Sequence, residues 1–438
     1  MDTESTEKKT FKTDQFWLPL DNAAKIFPAT ISEETTTVFR LTAVMQAPVK
    51  IQPLLQAVSQ VEDRFPYYKV QLKKGFFWFY LEHVSRRFPV EVDNKRTCRK
   101  FTGKRLLIRI LVKDNRISVE FSHVLTDGTG AFEFLKSLLI LYSRQLGEHI
   151  PDDFPFYRPW DEISEEEYED AYNRYFKQEI PPMIKKSSSF HLPCALNPKP
   201  RFQARNFIVS INSLKTLAKE KGVSITDYLV SVYLYALQEI HKELSAFSAY
   251  KKRKEIRIQV PVNLRGMFPS KTMRNFSLFV MPDIDLRLGT YTFDEILRRV
   301  YHQIRLETDE KLIHKNISRN VGSERKIYVK SIPLFLKSFI LKLKYYSLGT
   351  SQYSGVVTNL GKAKLPEEAE KLVDYFIFTA PPPNKMLKVN CGIIGFGDKL
   401  VLSFGNITKS TILERKIMHF LTQRGVDVKQ ENENTHAL

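Results

Sequence analysis

The chain has 438 residues, 43% apolar and 26% charged, an ordinary composition for a soluble globular protein with room for two or three core-forming units. No apolar run approaches the roughly 20 residues of a transmembrane helix. The net charge of +18 suits either an acidic partner or a merely lysine-rich surface, while the lack of zinc-finger spacing, an RNP-like aromatic run or a basic leucine zipper excludes the common nucleic-acid readers.

From the N-terminus, residues 1–14 are polar, without the apolar core of a secretory signal, and read as a disordered lead. Residues 35–46 alternate as a strand. In 48–65, Ile51, Leu54, Leu55, Val58 and Val61 recur at helical spacing until Phe65-Pro66 ends the pattern. Residues 67–72 and 76–81 read as paired strands around Lys73-Lys74-Gly75. The aromatic run Phe76 to Tyr80 fits a strand buried on both faces better than a ligand-stacking surface.

Two more apolar runs, 106–112 and 116–121, are joined by the polar Lys113-Asp114-Asn115 and read as a hairpin whose second strand ends at His123. Beyond it Phe132, Leu135, Leu139, Tyr142 and Leu146 mark an amphipathic helix, with Thr126 or Asp127 as its cap. Gly128 and Gly130 allow the tight bend between strand and helix. A histidine leaving a strand end titrates near neutrality and suits a general base toward an alcohol, amine or thiol. The aspartate on the turn can hold it by pairing with an arginine elsewhere. A second H-x-x-x-D, at His149 and Asp153, has neither the preceding strand nor the glycine, and reads as a solvated loop.

Residues 161–176 read as a helix. Residues 180–200, with Pro181-Pro182, Lys185-Lys186, a serine triplet and three further prolines, read as a linker, and its His191 and Cys194 are too few for a metal site. The second half predicts strands at 202–211, 255–262 and 277–286 and helices at 213–221, 226–244 and 291–312. Strands follow at 352–359, 375–379, 391–396 and 399–406, the last two a hairpin through Gly397-Asp398, and a helix at 411–424 stops before Gly425. Residues 328–347 interleave apolar side chains with lysines. They read as a helix covering the second core in preference to a basic segment lying on an anionic membrane. The cysteines, Cys98, Cys194 and Cys391, are odd in number and form no C-x-x-C, which argues against a disulfide framework and for a reducing cytoplasm.

The chain contains no G-x-S-x-G elbow, P-loop, G-x-G-x-x-G or H-E-x-x-H, which removes the usual serine hydrolase, nucleotide and zinc-protease readings. His123-Val-Leu-Thr-Asp127-Gly128 resembles the H-x-x-x-D-G signature of the chloramphenicol acetyltransferase-like superfamily, which includes condensation domains of peptide synthetases, plant acyltransferases and bacterial alcohol acetyltransferase-like proteins. The residues flanking the signature look most like the last group. So do Leu20 to Pro28, Val260 to Arg265 with Arg274-Asn275-Phe276, and Thr358-Asn359-Leu360-Gly361, the last with threonine in place of that group's serine.

The resemblance implies an α/β (α+β) fold of two chloramphenicol acetyltransferase-like domains, each a mixed sheet covered by helices, with the site in a tunnel between them. The expected divisions are a lead at 1–14, an N-terminal domain at 15–180, a linker at 181–201, a C-terminal domain at 202–428 and a tail at 429–438. It implies His123 as general base, Asp127 and Gly128 as structural residues of the motif, and Arg265 as the partner of Asp127 from the other domain. Thr358, Asn359 and Asn275 are the weaker candidates for oxyanion or substrate contact. The implied reaction is acyl transfer from acyl-CoA, or from an acyl carrier protein thioester, to a small alcohol or amine, with no bound cofactor, no metal and no nucleic acid. Two alternatives stand beside it: a carrier-dependent condensation enzyme, and a non-catalytic protein of the same fold that binds lipid or a partner. The expected location is cytoplasmic, with peripheral membrane contact through 328–347 as an option.

Overall fold

The strand Val38–Met45 is buried at every residue, as a strand covered on both faces must be. It lies second in a five-stranded sheet ordered Val373–Thr379, Val38–Met45, Arg116–Ser122, Ile108–Lys113, Val90–Val92. The computed structural model describes residues 16–94, 96–151, 153–178 and 186–431. The lead read at 1–14, residues 181–185 of the linker and the tail from 432 onward lie outside the described residues.

Helices Ile51–Arg64 and Gly128–Gln145 cover this sheet. Their apolar stripes, including Leu54, Val61, Leu135 and Leu138, join Phe39, Leu41, Val119 and Phe121 in one core. The edge strand Val373–Thr379 arrives from far along the chain and pairs antiparallel with Val38–Met45. A second, eight-stranded sheet is built from strands after residue 202, running from Ser277–Val280 through Glu255–Asn263, Gly355–Lys362, Val389–Phe396, Lys399–Asn406 and Gln203–Ser210 to Val428–Gln430, with Asp283–Asp285 also paired to Glu255–Asn263. Helices Ile225–Glu243, Phe293–Glu307 and Ile412–Thr422 pack on it. A smaller core joins Tyr172, Phe268, Phe276, Ile313 and Ile317. Among the described residues no helix is long and apolar enough to cross a membrane.

The structure departs from the sequence reading in several places, among them the strand read at 277–286, which is two short strands, Ser277–Val280 and Asp283–Asp285. The aromatic run 76–80 is no doubly buried strand: Phe76 and Phe77 are 71% and 43% exposed at a hairpin tip, and the strand begins only at Phe79. The helix read at 161–176 is a single 3-10 turn, Glu165–Glu167, and one helical turn, Ala171–Arg174, because Glu167 is pulled inward to pair with Arg64. The helix read at 291–312 ends at Glu307 and restarts at Glu310, where the Asp309 carboxylate caps the new N-terminus and overrides the continuous apolar pattern. Residues 328–347 do not cover a core. They form the turn Ile327–Lys330 and the helix Leu334–Lys344, with most apolar side chains facing outward. The final strand also extends two residues into the stretch read as a tail.

Charge is buried inside the first sheet. Glu120, fully buried, accepts from Arg40 Nε at 2.8 Å, Arg109 Nε at 2.6 Å and the Cys98 backbone N–H at 2.6 Å. Asp93 completes the network by accepting from Arg40 Nη1 at 2.6 Å. Such a cluster holds only while every charge has a partner. Glu120→Ala leaves two buried guanidinium groups short of a carboxylate, and should cost about 3–5 kcal/mol, read as a lower midpoint in urea unfolding.

Candidate active site

His123 follows the strand Arg116–Ser122 directly, and its backbone N–H donates to the Thr37 carbonyl at 2.8 Å. Thr37 has a left-handed backbone, φ 56°, unusual for a β-branched residue. Two rings bracket the imidazole: Phe27 at 5.1 Å and Phe39 at 5.0 Å between centroids. The residue as a whole is half-buried. Burial lowers its pKa below 6.5, against the raising effects of its bond to Asn275 and of the Asp127 charge.

Asp127 faces away from this ring chemistry. It caps the helix Gly128–Gln145, Oδ1 accepting from the backbone N–H groups of Thr129 and Gly130 at 3.1 and 3.0 Å. Its Oδ2 accepts from the backbone N–H of Phe276 at 2.9 Å. Arg265 donates to both oxygens, at 2.9 and 3.2 Å, and to the carbonyls of Thr272 and Arg274 at 3.0 and 2.7 Å. Burial alone would raise the Asp127 pKa, but the Arg265 charge and these hydrogen bonds hold it below the usual 3.8.

The same segment of the second half lies across the motif turn. The Met273 carbonyl accepts from Thr126 Oγ1 at 2.6 Å and Tyr68 Oη at 2.7 Å. This approach requires glycine at 130, where a Cβ would stand 2.4 Å from the Met273 oxygen, while a Cβ on Gly128 would meet only the movable tip of Leu360, Cδ2 at 2.7 Å. Leu360 thereby brings the stretch Thr358 to Gly361 against the turn.

Asn275 reaches the imidazole from this crossing segment. Its Oδ1 lies 3.0 Å from His123 Nδ1, and its Nδ2 donates to Asp21 Oδ2 and to the His123 carbonyl, both at 3.0 Å. Asp21 is fully buried. Burial raises its pKa to about 6, opposed first by Arg274. An ionised carboxylate only accepts hydrogen bonds, so the Asn275 amino group must face it. The Asn275 oxygen then faces Nδ1, which must carry the proton, leaving the Nε2 lone pair free.

The structure thus brings together His123, Asp127, Gly128, Arg265 and Asn275. Asn359 is engaged elsewhere: its Nδ2 donates to Thr226 Oγ1 at 3.0 Å and its Oδ1 accepts from the Gly361 N–H at 2.8 Å. Thr358 is half-buried on the strand Gly355–Lys362, opposite Gly392 in register. Its neighbour Val357 enters the second core, so Thr358 faces the other way, toward the first sheet, where Gly392 touches the Phe378 carbonyl. His149 and Asp153 are both exposed. Sequence reading assigned no role to Asp21, although Asp21 lies within the stretch Leu20 to Pro28 that carried part of the resemblance.

The imidazole lines neither of two large cavities. The larger, about 1180 Å³, is aromatic, with Phe16, Trp17, Trp78 and Tyr80 in its walls, and it reaches Leu20 beside Asp21. The smaller, about 950 Å³, reaches Thr35 and Thr36 beside Thr37, and is strongly basic: Arg96, Arg99, Lys100, Lys199, Arg201, Lys385 and Lys388 against Glu33 and Glu34.

Known structures share this arrangement of elements. F. graminearum TRI101, solved with coenzyme A and deoxynivalenol, aligns with TM-score 0.63 at 10% identity, over 93% of this chain and 97% of that one. Trichothecene 15-O-acetyltransferase TRI3 from Fusarium sporotrichioides aligns with TM-score 0.59 at 11% identity, over 94% of each chain. The starter condensation domain of rhizomide synthetase RzmA aligns with TM-score 0.53 at 8% identity, over 94% and 96%. The chain has the chloramphenicol acetyltransferase-like fold. No protein-family model and no curated protein sequence matches it.

The Asp127–Arg265 pair yields a pH-dependent prediction. A depressed carboxylate adds stability above its unfolded pKa of 3.8, and that stability is lost as pH falls through the lower folded value. Arg265→Ala removes the depression and strands a buried carboxylate. It should cost about 3–5 kcal/mol at neutral pH, and the difference from the wild type should shrink as pH falls and the Asp127 carboxylate protonates, as followed by urea unfolding at a series of pH values.

Proposed function

We propose that the chain transfers an acyl group from a thioester, acyl-CoA, to an alcohol or amine, with His123 as general base. The observation that carries this reading is the chain Asp21–Asn275–His123, which fixes one tautomer of a histidine kept neutral by burial. His123 Nε2 takes the acceptor proton as the acceptor oxygen or nitrogen attacks the thioester carbonyl. The tetrahedral intermediate collapses, the C–S bond breaks, and the imidazolium returns the proton to the departing thiolate. Asn275 and Asp21 act as positioning residues. Thr358 is the hydroxyl assigned to the developing oxyanion, since Asn359 is engaged in its own turn.

The basic cavity suits the phosphates of coenzyme A, the ligand bound in the TRI101 complexes of the same fold. The aromatic cavity suits an apolar acceptor. The carrier-dependent alternative differs only in its donor and is separated by comparing acyl-CoA with the same acyl group on a carrier protein.

Release of coenzyme A thiol over a panel of alcohols and amines tests the reading. His123→Ala should lower kcat about 100-fold or more, and equal rates would defeat the assignment. Thr358→Val should lower kcat by about 100-fold with little change in KM. Asp21→Asn lets the residue at 21 donate as well as accept, frees Asn275 to flip, and should lower kcat without raising KM.

The active imidazole is neutral, and its lowered pKa keeps it neutral to lower pH. The acid limb of kcat/KM should therefore fall below 6.5, the ordinary value.

A further inference from the structure

The helix Leu334–Lys344 is inside out. Its buried positions are Leu334 and Lys337, 8% and 3% exposed, while Phe335 and Phe339 are 79% and 60% exposed. The buried lysine is accommodated: its Nζ donates to the Phe77 carbonyl at 3.0 Å and stands 3.6 Å from the Trp78 ring centroid. A helix meant to cover a core would place phenylalanine inward and lysine outward. Here the other arrangement leaves Phe335, Leu336, Phe339 and Leu343 on one open face.

That face is continuous with two neighbours. The Leu334 backbone N–H donates to the Phe76 carbonyl at 2.9 Å, so the hairpin tip with its 71% exposed Phe76 lies beside the start of the helix. The preceding turn adds Ile327, 82% exposed. The charge along this stretch of chain has one sign. Between Arg325 and Pro366 the sequence has no aspartate or glutamate, and Lys326, Lys330, Lys342 and Lys344 are all exposed. The nearest upstream acid, Glu324, is paired with Lys25.

We propose that this face docks on an anionic lipid bilayer, with the phenylalanines inserted among acyl chains and the lysines at the headgroup phosphates. Clustered apolar side chains ringed by cations match the two parts of such a surface. A second copy of the chain is a poorer occupant, since a two-fold contact would set these lysines against one another. The aromatic cavity opens at the same face, because Phe77, Arg325 and Lys330 line it.

The test is sedimentation of the full chain with phosphatidylcholine vesicles, with and without phosphatidylserine, which needs no assumption about the reaction. Binding should be about tenfold or more stronger to the anionic vesicles and should weaken with salt. The variant Phe335→Ser/Phe339→Ser and the variant Lys342→Glu/Lys344→Glu should each lose it while keeping the wild-type melting curve, since all four side chains are exposed. Equal binding to neutral vesicles, binding that survives both variants, or no vesicle binding from a protein that instead dimerises through this face would each overturn the proposal.

Discussion

A buried carboxylate on a turn ties the two halves of this chain to one point. Asp127 caps the helix Gly128–Gln145, receives the Phe276 N–H from the other half, and takes both ends of the Arg265 guanidinium. Arg265 in turn gathers the carbonyls of Thr272 and Arg274. The crossing segment is thereby laid over the motif so that Asn275 meets the imidazole. Without the ion pair the negative charge would be stranded in a low dielectric, and the same loss would release the residue that orients His123.

Much of this geometry was legible in sequence, for physical reasons. The strand, glycine turn and amphipathic helix around His123 follow from local periodicity and capping, and the helix does begin at Gly128 with Asp127 as its cap. Arg265 pairing with Asp127 is a contact across 138 positions. Spacing cannot reveal such a contact, and only the resemblance suggested it. Asp21 went without a role because nothing local marks a carboxylate that acts through an amide. Its meaning depends on Asn275 and on complete burial. The break at Thr308 was hidden by an apolar stripe that runs on through it, and only the cap at Asp309 marks it.

The segment 328–347 shows the limit of pattern in another way. An alternating greasy and basic helix fits a core edge or a lipid surface equally well on paper. The orientation is decided by a single lysine that finds a carbonyl and an indole ring beneath the helix, and this turns the phenylalanines outward. The helix also packs against Phe27–Thr30, whose first ring flanks His123. What happens on the outer surface is thus mechanically close to the imidazole.

The strand Val373–Thr379 closes the first sheet although it is made last among that sheet's members. Until it arrives, Val38–Met45 presents a bare edge of unpaired backbone, the kind of template on which nascent chains aggregate. During synthesis the N-terminal portion must wait at the ribosome until more than three hundred further residues have emerged. Chaperone demand should therefore be greatest in that interval, and premature termination before residue 379 should yield insoluble product even though all of His123 to Gly128 is already present.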